Sequence, residues 1–285
     1  MAVVITMVLW NELRSLASIK QIDDYGIFQM TYFGDYGFDD FLLVGAESDG
    51  DIEAFVIGRL LRGAPINLNI TGAGCTVFAV RNDSGEVIFG RNFGFPTYSP
   101  SMQVITRPNN GYASVSTVNL LFLGYNENNL PGGLSFGCFP VLVAPYLPFD
   151  GVNEKGVAIA LLAVPEADLP FYEGRVIYWD KDLKIMETGE DFQVAANFIP
   201  YNGLNIGGSF DEFERYDRVR SAILDNGGTL GQTQAVGLLV EAAADYGDGG
   251  GILHWTAIYN LSQGRSLPLL SQSLLWRKRR GEPLI

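Results

Sequence analysis

The strongest constraint on the fold is a pair of β-rich runs with a turn between them. Residues 75–81 (CTVFAVR) and 86–93 (EVIFGRNF) flank the turn tetrad 82–85 (NDSG), a pattern typical of a β-hairpin. If the turn is confined to 82–85, Arg81 faces Glu86, and Arg91 falls within one residue of the position opposite Cys75. The face of the hairpin that carries Arg91 is left open, because a one-residue slip moves every side chain to the other face.

The remaining elements follow from hydrophobic periodicity. Aspartates 49 and 51 are candidate caps for one helix, which Gly63 would end, while the aromatic tract 25–50 receives no assignment. Many strands combined with a few long helices predict an α+β or layered α/β fold. Further strands are predicted at 113–125, 156–165, 175–180, 183–187 and 252–261, and helices at 11–24, 51–63, 210–226 and 233–247.

Charge and residue counts exclude several classes of function. The formal net charge of −13 makes the surface repel phosphate, so we expect no nucleic-acid partner. Two cysteines, Cys75 and Cys138, do not form a disulfide framework. His254 is the one histidine, and with two thiols it cannot supply a zinc site of the usual kinds, so neither a metal nor a cofactor is predicted.

Cys75 follows a glycine-rich stretch, residues 71–74, and this position suits a self-processing nucleophile. Gly74 lacks a Cβ, so the backbone there can adopt the geometry in which the thiol attacks the preceding carbonyl. Hydrolysis would then release residues 1–74 and leave an α-amine on Cys75. An α-amine has a pKa of about 7.7–8.0 and a thiol about 8.5, so the amine can accept the thiol proton without a histidine. A guanidinium from Arg91 would stabilise a thiolate or hold a substrate carboxylate.

Several segments, in order, resemble one enzyme family. The segments GAGCTVFAV and GEVIFGRNF (72–80 and 85–93), with Arg91 sixteen residues after Cys75, are similar to the start of the mature chain in the choloylglycine-hydrolase-like linear amide C–N hydrolases. These include bile-salt hydrolases, penicillin V acylases, acid ceramidases and the penicillin acyltransferase. The resemblance spans about residues 20–265 and continues through DGVNEKGVAIALL (150–162), AANFIPY (195–201), FERYDRV (213–219) and LHWTAIYNL (253–261).

This resemblance implies an αββα N-terminal-nucleophile sandwich that hydrolyses linear amides, with cleavage between Gly74 and Cys75. It implies that Cys75 is the nucleophile at the start of a central strand, and that Asn197 and a backbone N–H hold the oxyanion. Arg91 and Arg215 would organise the thiolate and the substrate. The expected substrate is a small acyl amide with an apolar acyl group. The pocket for this group would be lined by Phe93, Phe95, Tyr98 and the aromatic residues of 25–41.

Two departures from the family pattern support an alternative function. The family places an aspartate three residues after the hairpin arginine to orient the new amine, but here that position is Gly94. The connection 167–173 replaces a helical pair and a strand, so one helical layer would be shortened. The alternative is therefore a catalytically impaired homologue that acts as a binding module. A third hypothesis is a conventional cysteine hydrolase that pairs His254 with Cys75 or Cys138.

The predicted organisation is a helical pro-segment, 1–74, followed by a hydrolase domain, 75–285. Residues 1–10 are apolar but fall short of the roughly 20 residues that span a bilayer, so they are interpreted as the remnant of a membrane anchor. A cytoplasmic location is the default expectation, with a membrane-anchored or extracytoplasmic one as the alternative. Membrane association through the N-terminus and assembly as a homo-oligomer are both left open.

Overall fold

The computed structural model describes residues 9–61, 74–132, 136–164, 190–201, 204–206, 210–243 and 252–266. The chain divides into two compact units, and helices and two sheets together make it an α+β protein. The first unit comprises residues 1–70 and 98–157, and the second comprises 71–97 and 158–285. Residues 1–70 of the predicted pro-segment therefore belong to the same unit as 98–157.

The first unit is built on a sheet whose strands run in the order β1-β2-β5-β6-β7. Neighbouring strands are antiparallel, except that β2 pairs in parallel with β5 over six residues. Its elements are α1 (Trp10–Ala17), β1 (Lys20–Gln21), β2 (Ile27–Tyr32), α2 (Phe38–Val44), α3 (Asp49–Val56), a π-helical turn (Ile57–Leu61), β5 (Ser101–Thr106), β6 (Ser114–Asn119), two 3-10 helices (Leu120–Leu123 and Phe136–Tyr146) and β7 (Asp150–Asn153).

The core of the first unit lies where α1 and the longer 3-10 helix cover one face of this sheet. Leu16 of α1 and Met30 of β2 are almost completely buried there, together with Met102, Val118 and Leu142. The pro-segment residues are thus part of a hydrophobic core, where burying each large apolar side chain contributes about 1.5–3 kcal/mol.

The aromatic tract that the sequence left unassigned contains β2 and α2. Its rings Tyr36, Phe38 and Phe41, joined by Phe55, surround Tyr146 with centroid separations of 5.8–6.2 Å. Desolvation raises the pKa of Tyr146 above its ordinary value, because burial disfavours the charged phenolate. The prediction that these rings line an acyl pocket stays a prediction.

The second unit is built on a five-stranded antiparallel sheet in the order β13-β12-β4-β3-β9. Two helices cover one face of the sheet, where Phe78 and Ile258 pack against Val219, Ile223 and Leu239. The elements of this unit are β3 (Gly74–Arg81), β4 (Val87–Phe95), β8 (Ala158–Ala160), β9 (Gln193–Ala196), β10 (Ile199–Tyr201), β11 (Leu204–Ile206), α4 (Phe210–Asp225), α5 (Gln232–Ala243), β12 (Ile252–Asn260) and β13 (Arg265–Ser266).

The hairpin of β3 and β4 forms as predicted, but the predicted register was wrong by one residue. Arg81 pairs with Val87, not Glu86, so the connection contains five residues, 82–86. The Oδ1 atom of Asn82 accepts hydrogen bonds from Ser84 N and Glu86 N, which closes the longer loop. Gly85 occupies the left-handed region at φ +79°, which a residue without a Cβ adopts without strain.

Hydrogen bonds to the Glu86 carboxylate also hold this register. Asn82 and Asn260 each donate a hydrogen bond to the Glu86 carboxylate, as does Gln263. These donors, Gln263 foremost, lower the pKa of the Glu86 carboxyl below its ordinary value because they stabilise its charged form. Further along the hairpin, a Cβ at Gly90 would lie 2.5 Å from the ring of Phe78, so the close approach of that ring requires glycine.

Other predicted boundaries also differ. The cap of α3 is Ser48, which accepts a hydrogen bond from Asp51 N, so neither predicted aspartate is the cap. The predicted strand 113–125 ends at Asn119, whose side chain caps a 3-10 helix by accepting from Leu121 N. The predicted strands at 175–187, Gly63 and the shortened connection 167–173 lie outside the described residues. Within the described ranges, no helix is both long and apolar enough to cross a bilayer.

Candidate active site

The corrected register decides which face of the hairpin carries Arg91. Cys75 pairs with Phe93, and Val77 pairs with Arg91, so Arg91 lies two residues from the position opposite Cys75. Side chains alternate between the two faces of a strand, and Arg91 therefore shares a face with Cys75. A pairing of Arg81 with Glu86 would have put them on opposite faces, and the sequence alone left this choice open.

The face of the sheet opposite Cys75 and Arg91 holds a helix in place. Thr256 donates a hydrogen bond to Asn92 Oδ1 at 2.7 Å, and Asn92 Nδ2 donates to the Leu239 carbonyl of α5 at 2.6 Å. Thr76 and the other two polar side chains are fully buried. Because these bonds satisfy buried polar groups, they fix α5 against β4 and β12.

Arg91 is held rigidly beside Cys75. Its Nη2 atom donates to the Leu161 carbonyl at 2.8 Å, and its guanidinium carbon lies 5.4 Å from the centre of the Phe93 ring. Phe93 in turn stacks on Trp255 at 4.2 Å. The Cys75 thiol donates to the same Leu161 oxygen at 3.7 Å. The thiol and the guanidinium therefore converge on one acceptor.

Asn197 contacts the backbone nitrogen of Cys75. The Cys75 N–H donates to Asn197 Oδ1, and Arg215 Nη2 donates to the same oxygen at 3.3 Å. The Nδ2 atom of Asn197 donates to the Ala163 carbonyl at 2.7 Å. Two donors face the carboxamide oxygen and one acceptor faces the nitrogen, so the orientation of the carboxamide follows from its partners.

This geometry gives Asn197 a contact that the sequence did not predict. The expected role was donation to an oxyanion, which needs a free N–H on Nδ2. Here Nδ2 donates to the Ala163 carbonyl, and the carboxamide oxygen accepts from the Cys75 backbone nitrogen.

Phe198 fixes the position of Asn197. Its ring packs edge-to-face on Phe213 at 4.8 Å and on Tyr216 at 5.2 Å, both on α4. Burial raises the pKa of Tyr216 above its ordinary value. Because α4 also carries Arg215, these ring contacts hold the loop after β9 against the arginine. Sequence reasoning missed Phe198, although its position directly after Asn197 was a usable signal.

The four predicted catalytic side chains are buried and joined through shared partners. Cys75 and Arg91 are 0% exposed, Asn197 is 3% and Arg215 is 4% exposed. Burial strengthens electrostatic interactions, because the effective dielectric constant falls well below that of water. Two guanidinium groups in such a site favour an anionic ligand or a developing negative charge.

Gly94 lies next to the predicted cleavage site. It pairs with Gly74 in β3 and with Leu253 in β12. Alternation along β4 places position 94 on the face opposite Arg91 and the Cys75 thiol. The carboxamide of Asn197 is the polar side chain that contacts the Cys75 nitrogen.

The histidine of the third hypothesis packs against aromatic rings of the second unit. His254 lies at an irregularity of β12, between Leu253 and Trp255, and its ring packs edge-on against Phe93 at 5.8 Å and Phe95 at 6.1 Å. Cys138 is buried in the core of the first unit, where its thiol donates to the Gly132 carbonyl at 3.1 Å. Within the described part of the chain, no three histidine, cysteine or acidic side chains cluster as metal ligands.

Comparisons with known proteins add no family assignment. No family model matches this chain. A search of curated proteins also finds no match. The family resemblance therefore stays a prediction from the motifs, and the contacts around Cys75 carry the functional argument.

Proposed function

We propose that this chain is an N-terminal-nucleophile hydrolase of linear amide bonds, with the αββα sandwich that the resemblance implies. Cleavage between Gly74 and Cys75 activates it. One observation carries the proposal: the backbone nitrogen of Cys75 donates to Asn197, which Arg215 also contacts, while the thiol shares an acceptor with Arg91. The residue that would become nucleophile and base thus has separate partners for its sulfur and its nitrogen.

Activation would proceed in two balanced steps. The Cys75 sulfur attacks the Gly74 carbonyl carbon, the thiol proton passes to the departing nitrogen, and the Gly74–Cys75 C–N bond breaks to give a thioester and a free amine. Water then hydrolyses the thioester, which yields a carboxylate on Gly74 and restores the thiol. The Oδ1 atom of Asn197 holds the nitrogen during both steps.

Turnover would use the same groups. The new α-amine accepts the thiol proton, and the sulfur attacks the carbonyl of the acyl amide. The amine returns the proton to the leaving nitrogen, and water cleaves the resulting acyl-enzyme. Asn197 Nδ2 and the two guanidinium groups stabilise the negative charge that develops on the substrate oxygen, an effect of about 3–4 kcal/mol for a well-placed donor.

A panel of N-acyl amides tests the proposed activity. Saturated acyl chains of increasing length on glycine or on a fluorogenic amine are incubated with purified protein, and the released amine is measured. We expect turnover that iodoacetamide abolishes, with stoichiometric modification of Cys75. Absence of turnover throughout the panel in a protein that has been cleaved before Cys75 would count against an amide hydrolase.

The fold also predicts that cleavage does not separate the two pieces, contrary to the release expected from the sequence. Residues of the pro-segment form β2 inside a sheet, paired with β5 on one side, and bury Leu16 and Met30 in a core. We expect the cleaved protein to elute as one species in size-exclusion chromatography and to separate into two in guanidinium chloride. Separate elution under native conditions would contradict this arrangement.

The second candidate function, a non-catalytic homologue, is favoured by the absence of a carboxylate at Gly94. It predicts an uncleaved protein that binds acyl amides without turnover. The variant Gly94→Asp separates the two hypotheses. The proposed hydrolase is cleaved as wild type, whereas a dormant homologue stays intact as wild type and gains cleavage only in Gly94→Asp. Intact mass after incubation at neutral pH distinguishes these outcomes.

A further inference from the structure

The chain directly after β8 crosses the candidate active site. Residues 161–164, here called the crossing segment, follow Ala158–Ala160 and lie outside any strand. The Leu161 carbonyl accepts from the Cys75 thiol and from Arg91 Nη2, and the Ala163 carbonyl accepts from Asn197 Nδ2. Two backbone oxygens thus occupy donors on three of the four predicted catalytic residues.

These donors are the ones that the proposed reaction requires for the substrate. An acyl amide must place its carbonyl carbon against the Cys75 sulfur, and its oxygen needs a donor such as Asn197 Nδ2. In the uncleaved chain, the Leu161 carbonyl oxygen already lies beside the Cys75 sulfur. The Ala163 carbonyl oxygen already accepts from Asn197 Nδ2. The thiol is also completely buried and contacts the Leu161 carbonyl of this segment, so a substrate cannot reach the sulfur in this arrangement.

We propose that the crossing segment is an internal substitute for the acyl substrate, which blocks the uncleaved site and is displaced when substrate binds. This inference rests on the proposed function, because it concerns the regulation of the same site. The segment gives up three hydrogen bonds, two at the Leu161 oxygen and one at the Ala163 oxygen. Substrate oxygens take over the Arg91 and Asn197 donors, and water solvates the released backbone oxygens. Apolar contacts of the acyl chain offset the remaining difference.

The side chains of the crossing segment are compatible with such a movement. Leu161, Leu162 and Ala163 are only partly buried, whereas Val164 is buried. No side chain of the segment makes a hydrogen bond, since all four are apolar. Displacement of residues 161–163 would thus release two carbonyl oxygens while Val164 stays in the core.

Alkylation kinetics test the block without requiring cleavage or turnover. The rate at which iodoacetamide modifies Cys75 is measured by peptide mass spectrometry in wild type and in the double variant Leu161→Gly/Leu162→Gly, which loosens the crossing segment. The double variant Glu127→Gly/Asn128→Gly, in an exposed turn of the first unit, is the matched control. We expect Cys75 to react at least about tenfold faster in the first variant and at the wild-type rate in the control.

Cys138 supplies an internal standard for unfolding, because it is buried in the core of the first unit. A tenfold rise in the alkylation rate of Cys75, with an unchanged alkylation rate of Cys138, supports the proposal that the crossing segment blocks the site. An unchanged rate at Cys75, or an equal rise at both cysteines, overturns it. The alkylation rates report access to the thiols and do not depend on turnover. The proposed block can therefore be supported or overturned even in a protein that hydrolyses no amide.

If the glycine variant does not fold, hydrogen exchange on the full-length Cys75→Ala protein replaces it. The probe is N-octanoylglycine, added at millimolar concentration. Faster exchange at residues 160–164 on addition of the probe supports displacement, whereas slower or unchanged exchange there overturns it.

Discussion

Cys75→Ala is expected to abolish both cleavage of the chain and hydrolysis of acyl amides. In the proposed mechanism, the substitution removes the sulfur that attacks Gly74 in the first reaction and the substrate in the second. We expect kcat to fall by at least about a thousandfold, as for other enzymes that lose their nucleophile. Intact mass and amine release measure the two effects on the same sample.

Cys138→Ala is the matched control, because it removes a buried thiol from the core of the other unit. It costs packing in that core, about 1 kcal/mol for each buried group of methyl size, but leaves the contacts of Cys75 intact. We expect cleavage and turnover close to wild type. Wild-type rates in Cys75→Ala, or a loss confined to Cys138→Ala, would contradict the assignment of the nucleophile.

Asn197→Ala is expected to have the second largest effect. It removes the acceptor of the Cys75 nitrogen and the donor on Nδ2, and it leaves the buried Arg215 without that contact. Loss of one oxyanion donor typically lowers kcat by about 10²–10³. We expect a fall of at least this size in kcat, with a smaller change in KM, in steady-state assays of amide hydrolysis.

Two further variants separate the functions of this side chain. Asn197→Asp keeps an oxygen for the Cys75 nitrogen and for Arg215 but removes the donor to Ala163, so we expect cleavage to survive better than turnover. Asn92→Ala removes a buried carboxamide from the opposite face of the sheet, where it contacts α5. It should lower the free energy of unfolding with little change in kcat per folded molecule. Equal losses of kcat in Asn92→Ala and Asn197→Ala would argue for a merely structural role.

Local patterns predicted the hairpin but not its register. The turn residues and the β-rich runs were sufficient to place β3 and β4, since both signals lie within about 20 residues of sequence. The register depended on the Asn82 side chain, which closes a five-residue loop, and on contacts from Asn260 and Gln263 far along the chain. A one-residue difference decided whether Arg91 shares a face with Cys75.

The longer-range parts of the site were beyond the reach of periodicity. Asn197 and Arg215 entered through a family resemblance, and the contact between them requires Phe198 to pack on α4. The sequence could not predict the contacts of the Leu161 and Ala163 carbonyls, because every residue has a backbone carbonyl oxygen. The two helices α4 and α5 were predicted well, since their apolar faces repeat at helical spacing. The strand β2 was missed because an irregular aromatic tract surrounds it.

We propose that Cys75 acquires its own α-amine, held by Asn197, by cleavage after Gly74. Intact-mass spectrometry with N-terminal sequencing of the purified, incubated protein measures this directly. We expect two fragments, 1–74 and 75–285, the second beginning with cysteine, and a single uncut chain in Cys75→Ala. A protein that stays uncut yet hydrolyses acyl amides rapidly would contradict it.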